Sequence, residues 1–385
     1  MKNLKLTSLG QIPEADITFG DLTVFVGEQA SGKSILLQLV KLILDAGDIT
    51  QTLKKHGFDW HAELKNFLSL YFGEGMDGIW DNASTQITVD DEGFELDEVL
   101  SRKGKKKAES LFLIPAQRVM TLKDGWPRAF TDYAIGDPYG VKQFSEHLRL
   151  FLETSLGMSE DVIFPKAHRM NKTIRDAIGG RIFGGAQVKL DRSGLRKRII
   201  LDIEGNQLPF MVWSTGQREF VPLLLGLDQL MPSGGARKKN NINWVVIEEP
   251  EMGLHPKAIS ALLTVFLELM RRGYKVIVST HSSQILELIW AIRFIAKSNA
   301  APTRLRQLLD LNANAYSKDL TETILNQKTF KTYYFSRQES IVSVKDISTL
   351  DAEDPDEAVS DWGGLTLFST KSADIVTRAV SESEF

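Results

Sequence analysis

The stretch Leu22-Thr23-Val24-Phe25-Val26-Gly27-Glu28-Gln29-Ala30-Ser31-Gly32-Lys33-Ser34 decides how the chain folds. Its first five residues form a short apolar run with β-branched side chains, a pattern that predicts a buried strand. Residues 27–34 fit the spacing GxxxxGK(S/T), in which glycines let backbone N–H groups surround phosphates. After Ser34, apolar residues recur at helical intervals as far as Leu44. The order of strand, glycine loop and helix therefore predicts a phosphate-binding loop at a helix N-terminus.

A second apolar strand ends in carboxylates. Residues 244–247 read Trp-Val-Val-Ile, and Glu248 and Glu249 follow them. At a strand end beside a phosphate loop, one carboxylate can hold the metal's water shell and another can orient an attacking water. We assign Glu248 to Mg²⁺ together with Ser34, and Glu249 to activation of water. Lys33 has the place of the lysine that reaches the β- and γ-phosphates.

Three further motifs lie at predicted element ends, and each has a structural alternative. Ser214-Thr215-Gly216-Gln217 precedes a predicted helix and can offer a hydroxyl and amides to an anion, or it is a simple N-cap. Gln117 follows the apolar run 111–114 and either senses metal or water or is a polar loop residue. His281 follows the run 275–278 and either reaches a γ-phosphate or is a capping histidine.

Predicted strands and helices alternate along the chain. This alternation favours an α/β fold whose central sheet is mostly parallel. The N-terminal residues add short strands, and the loop-rich stretch from 121 to 180 is followed by two strands near 187–203. We divide the chain into an N-terminal lobe (1–120), an insertion or lid (121–200), a C-terminal lobe (201–300) and an extension with an acidic tail (301–385).

The composition excludes several classes of protein. The 385 residues are 25% charged with a formal net charge of −4, so the whole chain is not a basic nucleic-acid binder. There are no cysteines, which excludes disulfides and thiolate metal sites. Neither a membrane-spanning run nor a signal sequence is recognisable, and we expect a cytoplasmic protein. Three basic clusters, at 102–107, 192–198 and 237–239, are either surface turns or contacts to a phosphate backbone.

Taken together, these motifs resemble those of the ABC-type ATPases, in particular the SMC/RecF-like branch. The order matches: phosphate loop (27–34), Gln117, signature (214–217), acidic strand end (248–249) and His281. Residues 248–256, Glu-Glu-Pro-Glu-Met-Gly-Leu-His-Pro, are similar to the same region of the OLD (overcoming lysogenisation defect) group and its relatives in bacterial phage defence.

The chain departs from the family pattern in three places. Glu248 stands where the usual metal-side residue is aspartate, and Thr215 replaces one glycine of the signature. OLD nucleases carry a C-terminal Toprim domain. Here the acids at 351–357 lie in a polar run that contains proline and not at the end of an apolar strand, so we expect no Toprim nuclease domain.

The resemblance implies a fold and a set of site residues. The fold is a P-loop NTPase of the ABC-ATPase head type, with an N-terminal antiparallel β subdomain and a helical insertion. Two heads would enclose ATP and Mg²⁺. The implied catalytic residues are Lys33, Glu249 and His281, and the implied metal residues are Ser34, Gln117 and Glu248. The implied nucleotide contacts are Gly27, Glu28, Gln29, Ala30, Ser31, Gly32, Lys33, Ser34 and Gln117 of one subunit with Ser214, Gly216 and Gln217 of the other.

These features lead to one leading function and two alternatives. The leading hypothesis is an ATPase that forms a homodimer around ATP and acts as a switch for a protein effector, in anti-phage defence. A RecF-like ATPase that binds DNA in repair is the second hypothesis. The third is a scaffold that binds ATP and barely hydrolyses it, against which the presence of Glu249 argues.

Overall fold

The computed structural model describes residues 1–101, 108–154, 161–167, 169–193, 197–232, 237–239 and 241–383. The strands within these residues are β1 (Asn3–Leu9), β2 (Ile12–Thr18), β3 (Leu22–Gly27), β4 (Gln86–Val89), β5 (Glu92–Gly93), β6 (Leu111–Ile114), β7 (Leu122–Lys123), β8 (Trp126–Pro127), β9 (Val162–Phe164), β10 (Gln187–Asp191), β11 (Arg198–Ile203), β12 (Asn206–Pro209), β13 (Trp244–Glu248), β14 (Lys275–Ser279), β15 (Phe330–Gln338) and β16 (Ile341–Asp346). The helices are α1 (Lys33–Lys55), α2 (Leu64–Phe72), α3 (Leu96–Ser101), α4 (Tyr139–Thr154), α5 (Lys172–Arg181), α6 (Thr215–Gln229), α7 (Pro256–Arg272), α8 (Ser283–Ile295), α9 (Ala301–Leu308), α10 (Ala315–Gln327), α11 (Glu357–Ser360) and α12 (Leu367–Ser383).

A six-stranded central sheet organises the molecule, with the order β16-β15-β3-β14-β13-β6. The strands β15, β3, β14, β13 and β6 are mutually parallel, and β16 pairs with β15 in the antiparallel direction. The predicted α/β fold with a mostly parallel sheet is confirmed. Since parallel strands end at the same edge, the chain segments that follow β3, β6, β13 and β14 meet there.

The central strands are buried on both faces, which explains why they read as continuous apolar runs. Along β3, Leu22, Val24 and Val26 belong to one apolar core, and Phe25 belongs to a second core on the opposite face. The first core also takes in the buried sides of α6, α7 and α8. The second contains the first half of α1 and the inner faces of β1 and β2. The sheet is thus held between two apolar layers, and its carboxyl edge is rigidly placed.

Two four-stranded antiparallel sheets and the two-stranded sheet β7-β8 accompany this centre. The first has the order β2-β1-β4-β5 and is the predicted N-terminal β subdomain. The second has the order β12-β11-β10-β9. Its strands β9 and β10 lie within the predicted insertion, which also contains α4 and α5, whereas β11 crosses the end of the insertion and β12 lies beyond it. The insertion is therefore built from a sheet as well as helices. The four-segment division of the chain stays a prediction.

The last segment adds two strands to the central sheet, which the sequence reading did not include. β15 lies parallel to β3, the strand that leads into the phosphate loop, and Phe335 is the register partner of Gly27. Within the described residues, no helix combines the length and the apolar character that crossing a membrane requires.

Candidate functional site

The phosphate loop adopts backbone angles that depend on its glycines. Gly27 and Gly32 have φ values of +143° and +79°, in the region that L side chains rarely adopt. A Cβ atom on Gly27 would lie 2.3 Å from the Phe335 carbonyl oxygen of β15. Gly32 is the N-cap of α1, so the loop ends directly at a helix N-terminus. This is the backbone geometry that the motif spacing predicts.

Lys33 lies inside the loop. Its Nζ donates hydrogen bonds to the Gly27 carbonyl at 2.9 Å, the Glu28 carbonyl at 2.6 Å and the Ser31 hydroxyl at 3.1 Å. Burial lowers the pKa of Lys33 to about 8, although the negative charges of Glu249 and Glu28 act in the opposite direction. The ammonium group is thus poorly solvated, its hydrogen bonds all go to neutral oxygens, and an anion placed in the loop would raise this pKa.

Glu248 ends β13 as a buried carboxyl group. Its Oε2 accepts a hydrogen bond from the Ala116 amide at 3.2 Å, while Oε1 has no partner at hydrogen-bond distance among the described residues. Burial raises the pKa of Glu248 to about 7, and the Ser34 hydroxyl counteracts this shift. A buried carboxylate oxygen without a partner, next to the loop serine, fits the oxygen donor set that Mg²⁺ uses beside substrate phosphates.

Glu249 lies one residue farther along and is held in a strained backbone conformation. Its φ is +41°, and its amide donates to the Ser279 carbonyl of β14 at 2.9 Å. Its Oε1 lies 3.7 Å from Nε2 of His281. Contact with His281 lowers the pKa of Glu249, and the positive charge of Lys33 adds to the effect. Glu249 is therefore ionised at neutral pH, and it is half-buried. An ionised carboxylate at this place can accept a proton from water.

Glu251 fixes the position of His281. One carboxylate oxygen of Glu251 accepts hydrogen bonds from the Thr280 hydroxyl at 2.8 Å and from the His281 amide at 2.6 Å. This couples the turn after β13 to the turn after β14. Glu251 is not among the predicted site residues. Its place as a third acid after the strand was the available signal.

Gln117 and Arg118 follow β6 at the same edge of the sheet. Gln117 is exposed at the start of a short helical turn, residues 118–121. Arg118 is fully buried, and its guanidinium donates to the carbonyls of Glu219, Glu248 and Glu249 at 3.1, 3.0 and 3.0 Å. Arg118 thus ties the segment after β6 to α6 and to the acidic strand end. No sequence signal distinguished it from a surface arginine.

The signature residues form the first turn of α6. The Ser214 hydroxyl accepts from the Gln217 amide at 3.3 Å, and the Gln217 side chain accepts from the Ser214 amide at 3.1 Å, a reciprocal capping box. Ser214 and Thr215 are exposed. A Cβ atom on Gly216 would lie 2.5 Å from the Gly253 carbonyl, so this turn is pressed against the turn that follows β13.

The structure brings together some of the predicted residues and leaves others apart. Lys33, Ser34, Glu248, Glu249 and His281 interact with one another at the carboxyl edge of the sheet. In contrast, no hydrogen bond or ion pair joins residues 214–217 to residues 27–34 within the part of the chain that the structure describes.

The C-terminal strand β15 also contributes to the loop, which the sequence reading missed. The Arg337 amide donates to the Glu28 carboxylate at 3.2 Å, and the backbone of Phe335 closes over Gly27. A strand so distant in sequence carries no local motif that would have linked it to the loop.

Among the described residues of the three basic clusters, Arg192, Arg198 and Lys239 are paired or packed against other side chains. The cluster at 102–107 lies outside the described residues, as do residues 194–196 of the second cluster. Arg192 and Arg198 are paired with Asp161 and Asp191 at 3.4 and 2.8 Å. In the third cluster, burial lowers the pKa of Lys239, whose ammonium lies over the Phe112 ring.

Comparison with known proteins adds sequence matches over parts of the chain. Residues 135–287, less than half of the chain, match the family described as "AAA domain, putative AbiEii toxin, Type IV TA system". This stretch contains the signature, the acidic strand end and His281, but it does not contain the phosphate loop. A stretch of 64 residues is 38% identical to the Old nuclease of Escherichia phage P2, and it covers 17% of this chain and 11% of the phage protein.

Solved structures of low similarity span most of the chain. The SMC head domain from Thermotoga maritima aligns with a TM-score of 0.39 and 12% identity, over 90% of this chain and 98% of that one. The Smc head domain bound to the C-terminal domain of ScpA from Pyrococcus furiosus aligns with a TM-score of 0.40 and 8% identity, over 90% and 95%.

The conclusion rests on this chain's own motifs and on the sequence matches. Five motifs occur in the order of the ABC-type ATPases. Four of them follow strands that end at one edge of the parallel sheet, and the fifth, the signature, begins α6. The family match takes in three of these motifs, and a stretch of 64 residues is 38% identical to the Old nuclease. The chain thus carries the motif set of the ABC-type P-loop ATPases, and parts of it are similar to the AbiEii-type AAA family and to the Old nuclease.

Proposed function

We propose that this ATPase is a molecular switch, in which two copies close around ATP and separate after hydrolysis. The observation that carries the proposal is the division of the site. Lys33, Glu248, Glu249 and His281 converge beside the phosphate loop, whereas the signature turn is exposed and makes no hydrogen bond to that loop within the described residues. An exposed helix N-terminus favours an anion, and the γ-phosphate held by a second copy supplies one.

Residues of one chain would act on the phosphates. An ATP phosphate would replace the loop carbonyls as partner of Lys33, and the loop amides of residues 27–34 would surround the phosphate oxygens. Glu249 would orient the attacking water and accept its proton. His281, held in place by Glu251, would approach the γ-phosphate.

Glu248, Ser34 and Gln117 are the proposed magnesium residues. Mg²⁺ would neutralise charge that develops between the β- and γ-phosphates. Glu248 supplies the unpartnered carboxylate oxygen, and Ser34 supplies the hydroxyl of the loop motif. Bound metal would also shift the Glu248 carboxyl to its ionised form, because a nearby cation favours the charged state.

The second copy would contribute Ser214, Gly216 and Gln217. In the single chain the Ser214 hydroxyl accepts from the Gln217 amide, and it has a proton of its own to donate to a phosphate oxygen. Closure would therefore need the γ-phosphate, and its loss on hydrolysis would release the contact.

The output of the switch is proposed to be a partner protein in anti-phage defence. The toxin–antitoxin wording of the matching family and the local identity to a phage P2 protein support this role. Residues 121–200 are the proposed partner-binding element. DNA binding in repair stays the alternative, and salt-sensitive DNA binding that depends on ATP would favour it.

Molar mass and ATPase rate, measured together, test the proposal. Wild type and Glu249→Gln are compared with and without ATP and Mg²⁺, with Glu322→Gln, at a half-buried position of α10, as the matched control. We expect ATP to raise the mass transiently in wild type and in the control, and persistently in Glu249→Gln, whose turnover falls by at least about 100-fold. An ATP-independent mass in every variant, with full turnover by Glu249→Gln, would contradict the proposal.

A further inference from the structure

The hairpin of β15 and β16 lies beside the phosphate loop, on the side away from the acidic strand end. In the central sheet, β15 and β14 are the two neighbours of β3, and β13 lies beyond β14. Glu249 and His281 follow β13 and β14, so both lie on one side of the loop. On the other side, the Arg337 amide of β15 donates to the Glu28 carboxylate at 3.2 Å. A nucleotide in the loop therefore meets different groups on its two sides.

The order of the strands determines where the nucleoside lies. With the γ-phosphate beside the ends of β13 and β14, the rest of the nucleotide extends through the loop towards β15. Neighbouring strands lie about 4.8 Å apart, so β15 is about 10 Å from β14 and about 14 Å from β13. An ATP molecule spans such a distance. Its ribose and base thus lie next to the hairpin of β15 and β16.

Arg337 lies on the face of the sheet from which α1 leaves the phosphate loop. Tyr333 and Phe335 belong to the same apolar core as the first half of α1, and alternate residues of a strand share a face. Arg337 is the next residue in this alternation, and its side chain is exposed. Its Nε donates to the Glu339 carbonyl at 3.0 Å, whereas its two terminal nitrogens have no hydrogen-bond or ion-pair partner among the described residues. The guanidinium group is thus held through Nε and open to a ligand.

The charges around Arg337 favour a base over a phosphate as its ligand. Glu28 and Glu339 are exposed carboxylates next to it, and they would repel an anionic phosphate but not a neutral base. The neighbouring β1–β2 turn, whose Gln11 carbonyl accepts from the Val342 amide of β16 at 2.8 Å, belongs to a hairpin without aromatic residues, 3–18. The planar guanidinium of Arg337 offers the surface on which a base can stack.

We propose that Arg337 packs its guanidinium plane against the base of ATP and thereby sets the affinity of the site for nucleotide. The inference rests on the proposed function for the direction in which the triphosphate lies. It assigns a ligand contact to a residue that lies outside every motif of the site, on a strand near the C-terminal end. Stacking uses the face that all bases share, so Arg337 contributes affinity without selecting one base.

Equilibrium binding of ADP and of pyrophosphate separates a contact to the base from a contact to phosphate. ADP lacks the γ-phosphate that would hold a second copy, so it reports on the single chain. Arg337→Ala removes the guanidinium and keeps the backbone amide that contacts Glu28, whereas Arg337→Lys keeps the charge and loses the plane. Gln338→Ala, exposed on the opposite face of β15, is the matched control. Isothermal titration calorimetry of the full chain with Mg²⁺ gives the dissociation constants, and circular dichroism verifies the fold.

We expect Arg337→Ala to raise the dissociation constant of ADP by about 10-fold, the loss that one stacking contact entails. Arg337→Lys should bind ADP at least about 3-fold more weakly than wild type. Pyrophosphate should bind to all variants equally, and Gln338→Ala should bind both ligands as wild type does. Unchanged ADP binding by Arg337→Ala, full rescue by lysine, or an equal loss for ADP and pyrophosphate would overturn the base contact.

ATPase kinetics give a second readout and keep this inference apart from the proposed switch. Arg337→Ala should raise KM for ATP by about 10-fold and leave kcat within about 2-fold of wild type, because Arg337 touches no reacting atom. A lower kcat with an unchanged KM would contradict the proposal. The switch itself would fail by a different result, the absence of an ATP-dependent rise in the mass of wild type, and binding of ADP to the single chain does not depend on that rise.

Discussion

Replacing Arg118 with methionine tests how the site is held together. The guanidinium is fully buried and donates three hydrogen bonds, to carbonyls of α6, of β13 and of the strained residue Glu249. Methionine keeps most of the volume and removes every donor. The three carbonyls then lose a charged partner, although removing the buried cation also relieves its desolvation.

The expected loss of stability follows from these contacts. Removing one partner from a buried charged network costs about 3–5 kcal/mol. For a chain of 385 residues, an unfolding entropy of about 2.1 cal/mol/K per residue converts this loss into a melting temperature lower by about 4–6 °C. Arg118→Lys keeps the positive charge but has fewer hydrogen-bond donors. Its free energy of unfolding should therefore fall by about half as much as that of Arg118→Met.

Thermal unfolding and ATPase rate are the assays for this variant. Arg304→Met, on the exposed side of α9, is the matched control and should change the unfolding free energy by less than about 0.5 kcal/mol. We also expect Arg118→Met to lower kcat more than Arg118→Lys does, because the backbone of Glu249 loses its anchor. Melting of Arg118→Met within 1 °C of the Arg304→Met control would refute the reasoning.

Three further predictions concern the acids and the signature turn. Since burial raises the pKa of Glu248 to about 7, above its unfolded value, stability should fall as the pH rises from about 5 to about 7. The free energy of unfolding should decrease by up to about 3 kcal/mol over this range. Urea unfolding at about pH 5 and about pH 7 measures this decrease, which should be absent in Glu248→Gln. Gly216→Ala should lower the free energy of unfolding by about 1–3 kcal/mol, because the added Cβ would lie 2.5 Å from a carbonyl oxygen. The control Gly180→Ala in α5 has open space around its Cβ and should leave the stability unchanged or raise it. Equal melting temperatures of the two variants would contradict this expectation. Glu251→Gln should lower kcat by about 10-fold, since a neutral amide holds the His281 amide and the Thr280 hydroxyl less firmly; an unchanged kcat would show that this contact is not needed for turnover.

Much of the central fold could be predicted from local sequence. The runs that became β3, β6, β13 and β14 are buried on both faces, so their apolar character is continuous and easily recognised. The phosphate loop could also be predicted, because its backbone angles require glycine at fixed spacing. The ends of α7 are also marked in the sequence, by Pro256 at its start and Gly273 directly after it.

The features that could not be predicted depend on contacts between residues that are distant along the chain. β15 mixes buried, partly buried and exposed residues without regular alternation, and only its pairing with β3 shows that it closes over the loop. Arg118 carries a charge that usually indicates a surface position. Its burial is possible only because three carbonyls from two other elements surround it. The role of Glu251 likewise requires that the ends of β13 and β14 meet.

The central claim is that each ATP site takes its loop from one chain and its signature turn from another. The most direct test mixes two inactive variants, Lys33→Ala and Ser214→Arg, and measures ATPase rate across mixing ratios. In a mixed pair, one of the two sites has an intact loop and an intact signature. We expect each variant alone to be inactive and an equimolar mixture to regain up to about a quarter of the wild-type rate, since half of the pairs are mixed and half of their sites are intact. A mixture that stays inactive at every ratio, with both variants folded, would contradict the shared site.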